Sequence, residues 1–321
     1  MSKEKWRPSA SEKVIYIRSE FLKKIRFFFE KEKILEVETP TLLPYGVTDP
    51  QIESISIDEG LIANNKYYLH TSPELHMKRI ISHLRKDIYQ ICKSYRADEL
   101  GKWHEPEFTL LEWYRIGWDE HDLMNEVTSI IKMLLKPYFE IHKILKFKYD
   151  DIFKKVLDLE LLNKDNLLDA LKKNKIPYPE NCTEIQLLDL SLNQIIIPSM
   201  DKNSIIYIYD YPINQSSLAK VDLNNNIAKR FEVFINGIEI GNGFNELTDA
   251  KEQRKRFEND NKKRKGLDKK EHLIDEGFLN ALDHNFPECS GIALGLDRII
   301  AIAADLNNIR EAVTFSHLEK V

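Results

Sequence analysis

Phe231-Glu-Val-Phe-Ile-Asn-Gly-Ile-Glu-Ile-Gly241 decides the architecture of this chain. Asn236-Gly237 stands between two alternating runs, and this dipeptide accepts the positive φ at both central positions of a type I′ turn, whose twist matches paired strands. A two-residue β-hairpin is expected. If Ile235 faces Ile238, then Phe234 faces Glu239 and Val233 faces Ile240, and residues two apart share a face. Glu232 and Glu239 then point one way, and Phe231, Val233, Ile235, Ile238 and Ile240 form an apolar face that can be buried.

Two carboxylates on one face repel unless positive charge lies between them. A magnesium ion carrying nucleotide phosphates is one occupant that suits them, since Mg²⁺ is usually held by one or two carboxylates plus substrate oxygens. An acidic sheet face in water is the other reading. Beyond the hairpin, Gly241-Asn242-Gly243-Phe244-Asn245-Glu246 leaves the strand through glycines that allow close backbone approach, and Glu246 is expected to open the next helix. There an acid stabilises the helix by only ~0.3 to 1 kcal/mol.

Cys289-Ser-Gly-Ile-Ala-Leu-Gly-Leu-Asp-Arg298 runs from a short strand through Gly295 into an apolar helix, Ile299 to Ala303. An arginine in a first turn opposes the helix dipole, so helix stability does not ask for Arg298; a phosphate tail at the helix N-terminus does. Arg96 closes an earlier strand. It is a surface arginine if taken alone, but its planar fork suits bidentate phosphate binding.

Towards the start, Val14, Ile17, Phe21, Ile25 and Phe28 recur at helical spacing, with Ser9 and Glu12 as a capping box. A strand over Ile34 to Pro40 follows. Tyr67 to Thr71 is expected as a strand, after which Ser72-Pro73-Glu74 supplies an N-cap, a first-turn proline and an acid. Ile88 to Cys92 and Phe108 to Tyr114 form two strands around the polar loop Ala97 to Pro106, with Phe108, Leu110, Glu112 and Tyr114 on one face. Residues 140 to 200 are expected as a helical insertion without chemistry, and Ser204 to Tyr209 as a strand. The charged run Glu252 to Lys270 is either a solvated helix face or, through Lys262 to Lys265, a nucleic-acid patch; the interleaved acids favour the former.

Composition narrows the class. A chain of 321 residues with 42% hydrophobic residues can bury a sizeable core. The first residues, Met1-Ser-Lys-Glu-Lys-Trp-Arg7, are polar, so no signal peptide is expected, no apolar run spans a bilayer, and the expected location is the cytoplasm. Cys92, Cys182 and Cys289 have no metal or redox spacing and suit buried thiols in a reducing compartment. A net charge of −5 argues against general attraction to a phosphate backbone, hence against tRNA.

Taken in order, Glu38-Thr-Pro40, Tyr95-Arg96 with His104-Glu-Pro-Glu-Phe108, and Gly295-Leu-Asp-Arg298 resemble motifs 1, 2 and 3 of class II aminoacyl-tRNA synthetases. Thr71-Ser-Pro-Glu74, Leu111-Glu-Trp-Tyr114 and Gly237 to Leu247 resemble the lysyl branch, and the likeness covers nearly the whole chain. Lysyl-tRNA synthetases carry an amino-terminal barrel that reads the anticodon. The first core helix here is expected within about a dozen residues of Met1, leaving no room for it. A free-standing lysyl core of this length, with Trp6-x-Pro8-Ser-Ala and Met124-Asn-Glu-Val127, is similar to the elongation factor P β-lysine ligases.

The resemblance implies an α+β fold, an antiparallel sheet flanked by helices, as a single catalytic domain over 1–321 with no anticodon-binding domain and a motif 1 homodimer interface. It implies use of ATP and Mg²⁺, a lysine-like amino acid substrate, and elongation factor P as acceptor, with no membrane partner. Arg96 would contact the α-phosphate, Arg298 the γ-phosphate, and Phe108 would stack on adenine; Asp98, His104, Glu105, Glu239, Ile240 and Gly295 complete the ATP site. Glu232 and Glu239 would hold Mg²⁺. Ser72, Glu74, Glu112, Tyr114, Asn242, Glu246 and Ala293 would form the amino-acid pocket.

Four positions depart from a single pattern. Asp98 replaces the usual motif 2 Glu, Glu105 replaces the ligases' usual Asn, Gly241 matches the tRNA synthetases, and Ala293 places a methyl where those enzymes usually have Gly. A minimal lysyl-tRNA synthetase, another amidation such as asparagine synthesis, and a non-catalytic paralogue are the competing expectations. The missing barrel opposes the first, the lysyl-type acidic pocket the second, and retention of Arg96, Glu232, Glu239 and Arg298 the third.

Overall fold

The structure is a computed structural model that describes residues 6–57 and 66–317; the polar leader residues 1–5 lie outside the described part. Helix α1 (Glu12–Lys31) buries Val14, Ile17, Phe21, Ile25 and Phe29. Phe29 takes the place expected for Phe28, because four residues after Ile25 returns closest to the same stripe. The cap also differs: Ser11, not Ser9, accepts from the Val14 N–H at 3.4 Å. Ser9 instead ties the two ends of the chain together. Its N–H donates to the Thr314 carbonyl at 2.8 Å, and its hydroxyl accepts from the Ser316 N–H at 2.9 Å.

Strand β1 is only Leu35–Glu36, shorter than the expected Ile34 to Pro40. Short strands β2 (Leu42–Leu43), β3 (Ser56–Ile57) and β4 (Tyr67–Leu69) make a small separate sheet in the order β2-β4-β3. Helix α2 (Glu74–Leu84) begins after Pro73, whose φ of −80° and ψ of −1° are already helical, so Ser72 does not cap it. Then come β5 (Ile88–Tyr95), β6 (Glu107–Ile116) and α3 (Glu120–Leu135), the last opened by a capping box from Asp119.

The segment expected as helical begins with a strand, β7 (Lys143–Lys148), before α4 (Tyr149–Leu157), α5 (Lys164–Lys173) and α6 (Glu184–Ser191). β8 (Ser204–Pro212), β9 (Val221–Asp222), β10 (Ile227–Ile235), β11 (Ile238–Asn245), α7 (Ala250–Gly266), α8 (Glu276–Asp283), β12 (Cys289–Gly295) and α9 (Leu296–Ala303) complete the chain. Helix α7 starts from an Asp249 cap, so Glu246 lies upstream of it, at the end of the sheet.

Among the described residues, nine strands form the main sheet in the order β1-β5-β6-β12-β11-β10-β8-β7, with β9 paired to β10. Every pairing is antiparallel except β1 with β5 and β7 with β8. One face packs on α1, α3 and α9 through Leu111, Trp113, Phe231, Val233, Ile292 and Leu294. Phe29 stacks on Tyr89 at 4.3 Å and meets Trp113 edge-on at 5.6 Å, while the Trp113 indole donates to Glu126 at 2.8 Å. Helices α4 to α6 pack on Ile206, Ile208 and Phe234 as a second core, and α2, α7 and α8 enclose a third.

The hairpin has the expected turn, with Asn236 at φ 52° and Gly237 at φ 74°. Its register holds for two pairs and then slips. Ile235 faces Ile238 and Phe234 faces Glu239, but Val233 faces Gly241 and Glu232 faces Asn242. Ile240 is the additional residue of a β-bulge, which reverses the alternation of β11 beyond it. Glu239 therefore shares a side with Asn242, Phe244 and Glu246, whereas strict alternation would pair it with Gly241, Gly243 and Asn245. The latter set does face the helices: Asn245 donates to Glu120 of α3 at 3.2 Å, and a Cβ on Gly243 would strike the Phe231 ring.

Candidate active site

Above the sheet face opposite α1 lies a cavity of about 1180 Å³. One end is acidic. Glu74 enters from the start of α2, Glu112 and Tyr114 from β6, and Glu246 from the end of β11; Ser72 and Ala293 complete the wall. Ala293 lies in register between Glu112 and Asn242. The Tyr114 hydroxyl donates to Glu112 Oε1 at 2.7 Å, and Glu112 Oε2 is buried without a protein partner. Burial, then the charge of Glu74, pushes the Glu112 carboxyl up to about 8. Gly291 backs this pocket, where a Cβ would fall 2.3 Å from the Tyr114 ring and 2.7 Å from Glu246.

A residue that sequence reasoning missed stands behind the acidic wall. Lys78, one turn along α2 from Glu74, is fully buried, with its ammonium 2.7 Å from Glu74 Oε1 and 2.5 Å from Glu246 Oε2. Burial alone would lower its pKa, but the two carboxylates override this and raise it. The i,i+4 spacing of Glu74 and Lys78 was the available signal.

The other end is basic and aromatic. The Arg96 guanidinium lies 5.1 Å from the Phe108 ring and donates to Glu99 at 3.2 Å. Arg298, in the first turn of α9, donates to the Trp103 carbonyl at 3.2 Å and the Glu239 carbonyl at 2.7 Å, which fixes its fork over the cavity beside Ile240 and Gly295. His104 is held neutral by burial, then by Arg298 nearby. Glu105 is buried, with Oε1 accepting from the Ser316 hydroxyl at 2.5 Å and Oε2 unpartnered.

Asp98 is not brought in. It occupies a left-handed turn at φ 61°, away from the cavity wall, and Glu99 borders the cavity beside Arg96 instead. Asp297, also missed, anchors this end: it accepts from the Thr109 N–H at 2.6 Å and from Arg18 at 2.5 Å, joining α9 to β6 and α1.

Between the two ends, Glu232 and Glu239 border the cavity with Asn242 next to Glu232. Glu232 is pushed up to about 7 by burial, an effect that Arg230 at 2.5 Å opposes and Glu239 reinforces. Asn242 Oδ1 is buried with no partner. Two hard carboxylates and an orphaned amide oxygen fit a hard divalent cation that brings further oxygens of its own. Among the described residues no group of three or more His, Cys, Asp or Glu is placed to hold a metal ion.

The insertion was expected to carry no chemistry. Thr183, Ile185, Asp189, Leu192 and Asn193 nevertheless line the cavity, and burial raises the Asp189 carboxyl despite Arg230. The Lys262 to Lys265 cluster divides: Lys263 borders the cavity, and Arg264 is buried against Glu53 at 2.9 Å. Cys182 and Cys289 are buried, whereas Cys92 is half-buried. No helix among the described residues is long and apolar enough to cross a membrane.

The family model for tRNA synthetases class II (D, K and N) matches residues 4–319. The chain is 40% identical over 324 aligned positions to a protein of Buchnera aphidicola subsp. Schizaphis graminum (strain Sg) named elongation factor P–(R)-β-lysine ligase, covering 98% of both. It is 39% identical to the protein of that name from Avibacterium paragallinarum, covering 98% of this chain and 99% of the relative. For the Histophilus somni (strain 2336) protein of that name, identity is 37% over 98% of both.

Proposed function

The chain belongs to the class II tRNA synthetases of the D, K and N type, and from that membership we propose that it activates (R)-β-lysine with ATP and joins it to a lysine side chain of elongation factor P. It is an ATP-dependent ligase. The observation that carries the choice of substrate is the pocket of Glu74, Glu112 and Glu246 at one end of a cleft whose other end presents Arg96, Phe108 and Arg298. Buried carboxylates need cationic partners, and a diamino acid supplies two. The names of the relatives supply the acceptor.

In the proposed chemistry, the acidic end binds the ammonium groups and aims the substrate carboxylate at the α-phosphorus, while Phe108 stacks on adenine. A carboxylate oxygen attacks the phosphorus as pyrophosphate leaves on the far side, giving an acyl-adenylate. Arg96 balances charge developing on the α-phosphoryl oxygens, and Arg298, fixed by two carbonyls, receives the phosphate tail at the α9 N-terminus. The acceptor lysine then attacks as a neutral amine; AMP leaves and the amine loses a proton. Mg²⁺ held by Glu232, Glu239 and Asn242 would neutralise phosphate charge. Catalysis is thus positioning plus electrostatics.

A single catalytic domain acting as a homodimer is part of this reading. Tyr16 and Phe27 on α1 and Leu35 in β1, shortly before the Glu38 to Pro40 segment in the chain, are 69%, 55% and 43% exposed, apolar side chains that a partner copy could cover.

Incubation of the protein with ATP and labelled (R)-β-lysine or L-α-lysine, offering unmodified elongation factor P and tRNA separately, tests the proposal. Label on elongation factor P with the β-isomer favoured is expected. Label on tRNA, or on neither acceptor, overturns it.

A further inference from the structure

Lys78 touches two of the three acidic side chains of the amino-acid pocket, yet it does not border the cavity. It cannot touch the ligand. A surface role is excluded by its burial, and so is a simple packing role, because a lone buried ammonium is costly unless paired. The groups that face it are Glu74 on its own helix, Glu246 after β11, and, at longer range, Glu112 of β6 and Cys289 of β12. On its fourth side is the Phe278 ring of α8, 5.9 Å from the ammonium.

Resting on the diamino-acid reading above, we propose that Lys78 is the positioning residue that favours the ionised forms of Glu74 and Glu246 and aims them at the ligand, and so sets the pocket's selectivity for an amino acid with two ammonium groups. Once the ligand has displaced their protons, three carboxylates against one internal ammonium leave two negative charges. The acyl part of a diamino-acid adenylate carries two positive ones. Each of Glu74 and Glu246 spends one oxygen on Lys78 and keeps the other for the ligand. Burial, with Glu74 reinforcing it and Lys78 opposing it, already pushes the Glu246 carboxyl up to about 8; without the internal cation the two acids repel and Glu246 holds its proton to still higher pH.

The test compares wild type with Lys78→Met in amino-acid-dependent pyrophosphate exchange, using β-lysine, L-lysine and norleucine, which has lost the second ammonium. In the variant, the KM for the diamino acids should rise about 10²-fold, as when one partner of a buried charge pair is truncated. The KM for ATP should stay within about twofold, and the preference over norleucine should collapse. The fall of amino-acid KM with rising pH should also move to higher pH, because the ammonium favouring ionised Glu246 is gone; a purely structural lysine would not move it.

Should Lys78→Met fail to fold, Lys78→Met with Glu246→Gln removes both charges of the closer pair. The double variant should then be no more than about threefold worse in amino-acid KM than Glu246→Gln alone, whereas full additivity overturns the proposal. A folded Lys78→Met enzyme with unchanged amino-acid KM, selectivity and pH profile also overturns it. Absence of diamino-acid-dependent exchange in the wild type would instead remove the reading beneath it.

Discussion

The Tyr114 hydroxyl donates a hydrogen bond to one oxygen of Glu112, at 2.7 Å, and the other oxygen of that buried carboxyl has no protein partner. The carboxyl is pushed up to about 8 from its usual 4.5, mainly by burial. At neutral pH it therefore holds a proton in the empty pocket, and an arriving ammonium must displace it. Amino-acid binding should release a proton at pH 7, and the KM for the amino acid should fall as pH rises from 6 towards 8, with ATP unaffected. Calorimetry in two buffers of different ionisation enthalpy checks the release. Because the folded state holds this proton more tightly than the unfolded chain does, Glu112's contribution to stability is greatest below about 4.5 and declines as pH rises to about 8.

Arg96→Ala should lower pyrophosphate exchange by about 10² to 10³, the usual effect of removing one charge-stabilising group. Its guanidinium lies over Phe108, at the end of the cavity away from Glu112, so the KM for the amino acid should change little. Near-normal exchange in this variant would remove Arg96 from the mechanism.

Chelation of Mg²⁺ should abolish exchange, with recovery on adding excess metal. Glu232→Gln should raise the Mg²⁺ concentration for half-maximal activity by about tenfold or more. Without bound metal, the same change should leave the fold intact, since burial, then Glu239, already disfavours the ionised carboxyl, which offsets the loss of its ion pair with Arg230. An unchanged Mg²⁺ titration would exclude Glu232 as a ligand.

Gly241→Ala should destabilise the protein by about 1 to 3 kcal/mol, as overpacking commonly does. The added Cβ would lie 2.3 Å from Leu294 and 2.7 Å from the Ala293 carbonyl. Leu294 belongs to the core, so the strain should spread to Ala293 in the pocket wall and raise the KM for the amino acid. Thermal unfolding together with exchange kinetics measures both.

The hairpin turn, the faces of β6 and the strand-to-helix passage at Gly295 were legible because each rests on local chemistry: a positive-φ dipeptide, period-two alternation and a dipole mismatch at Arg298. Lys78 was not legible, because a lysine inside Leu-His-Met-Lys-Arg-Ile has the spacing of an ordinary helix, and only the return of Glu246 from far along the chain buries it. Asp189 was hidden for the same reason: α6 reaches the cavity through tertiary packing on β8 and β10. The cap at Ser11 and the short β1 fell to competition among neighbouring polar residues and to a strand that pairs on one side only.

Ile240 acts on β11 as a single inserted character acts on a two-letter code. Up to Glu239 the odd-numbered positions face the cavity; from Asn242 onward the even-numbered ones do. If Ile240 instead paired regularly with Val233, without the bulge, one parity would run throughout, turning Asn242 and Glu246 towards α3 and placing Gly243 and Asn245 over the cavity. The nucleotide half of the strand could stay correct while the amino-acid half became mute. One apolar residue thus keeps two recognition surfaces, written on one strand, in phase.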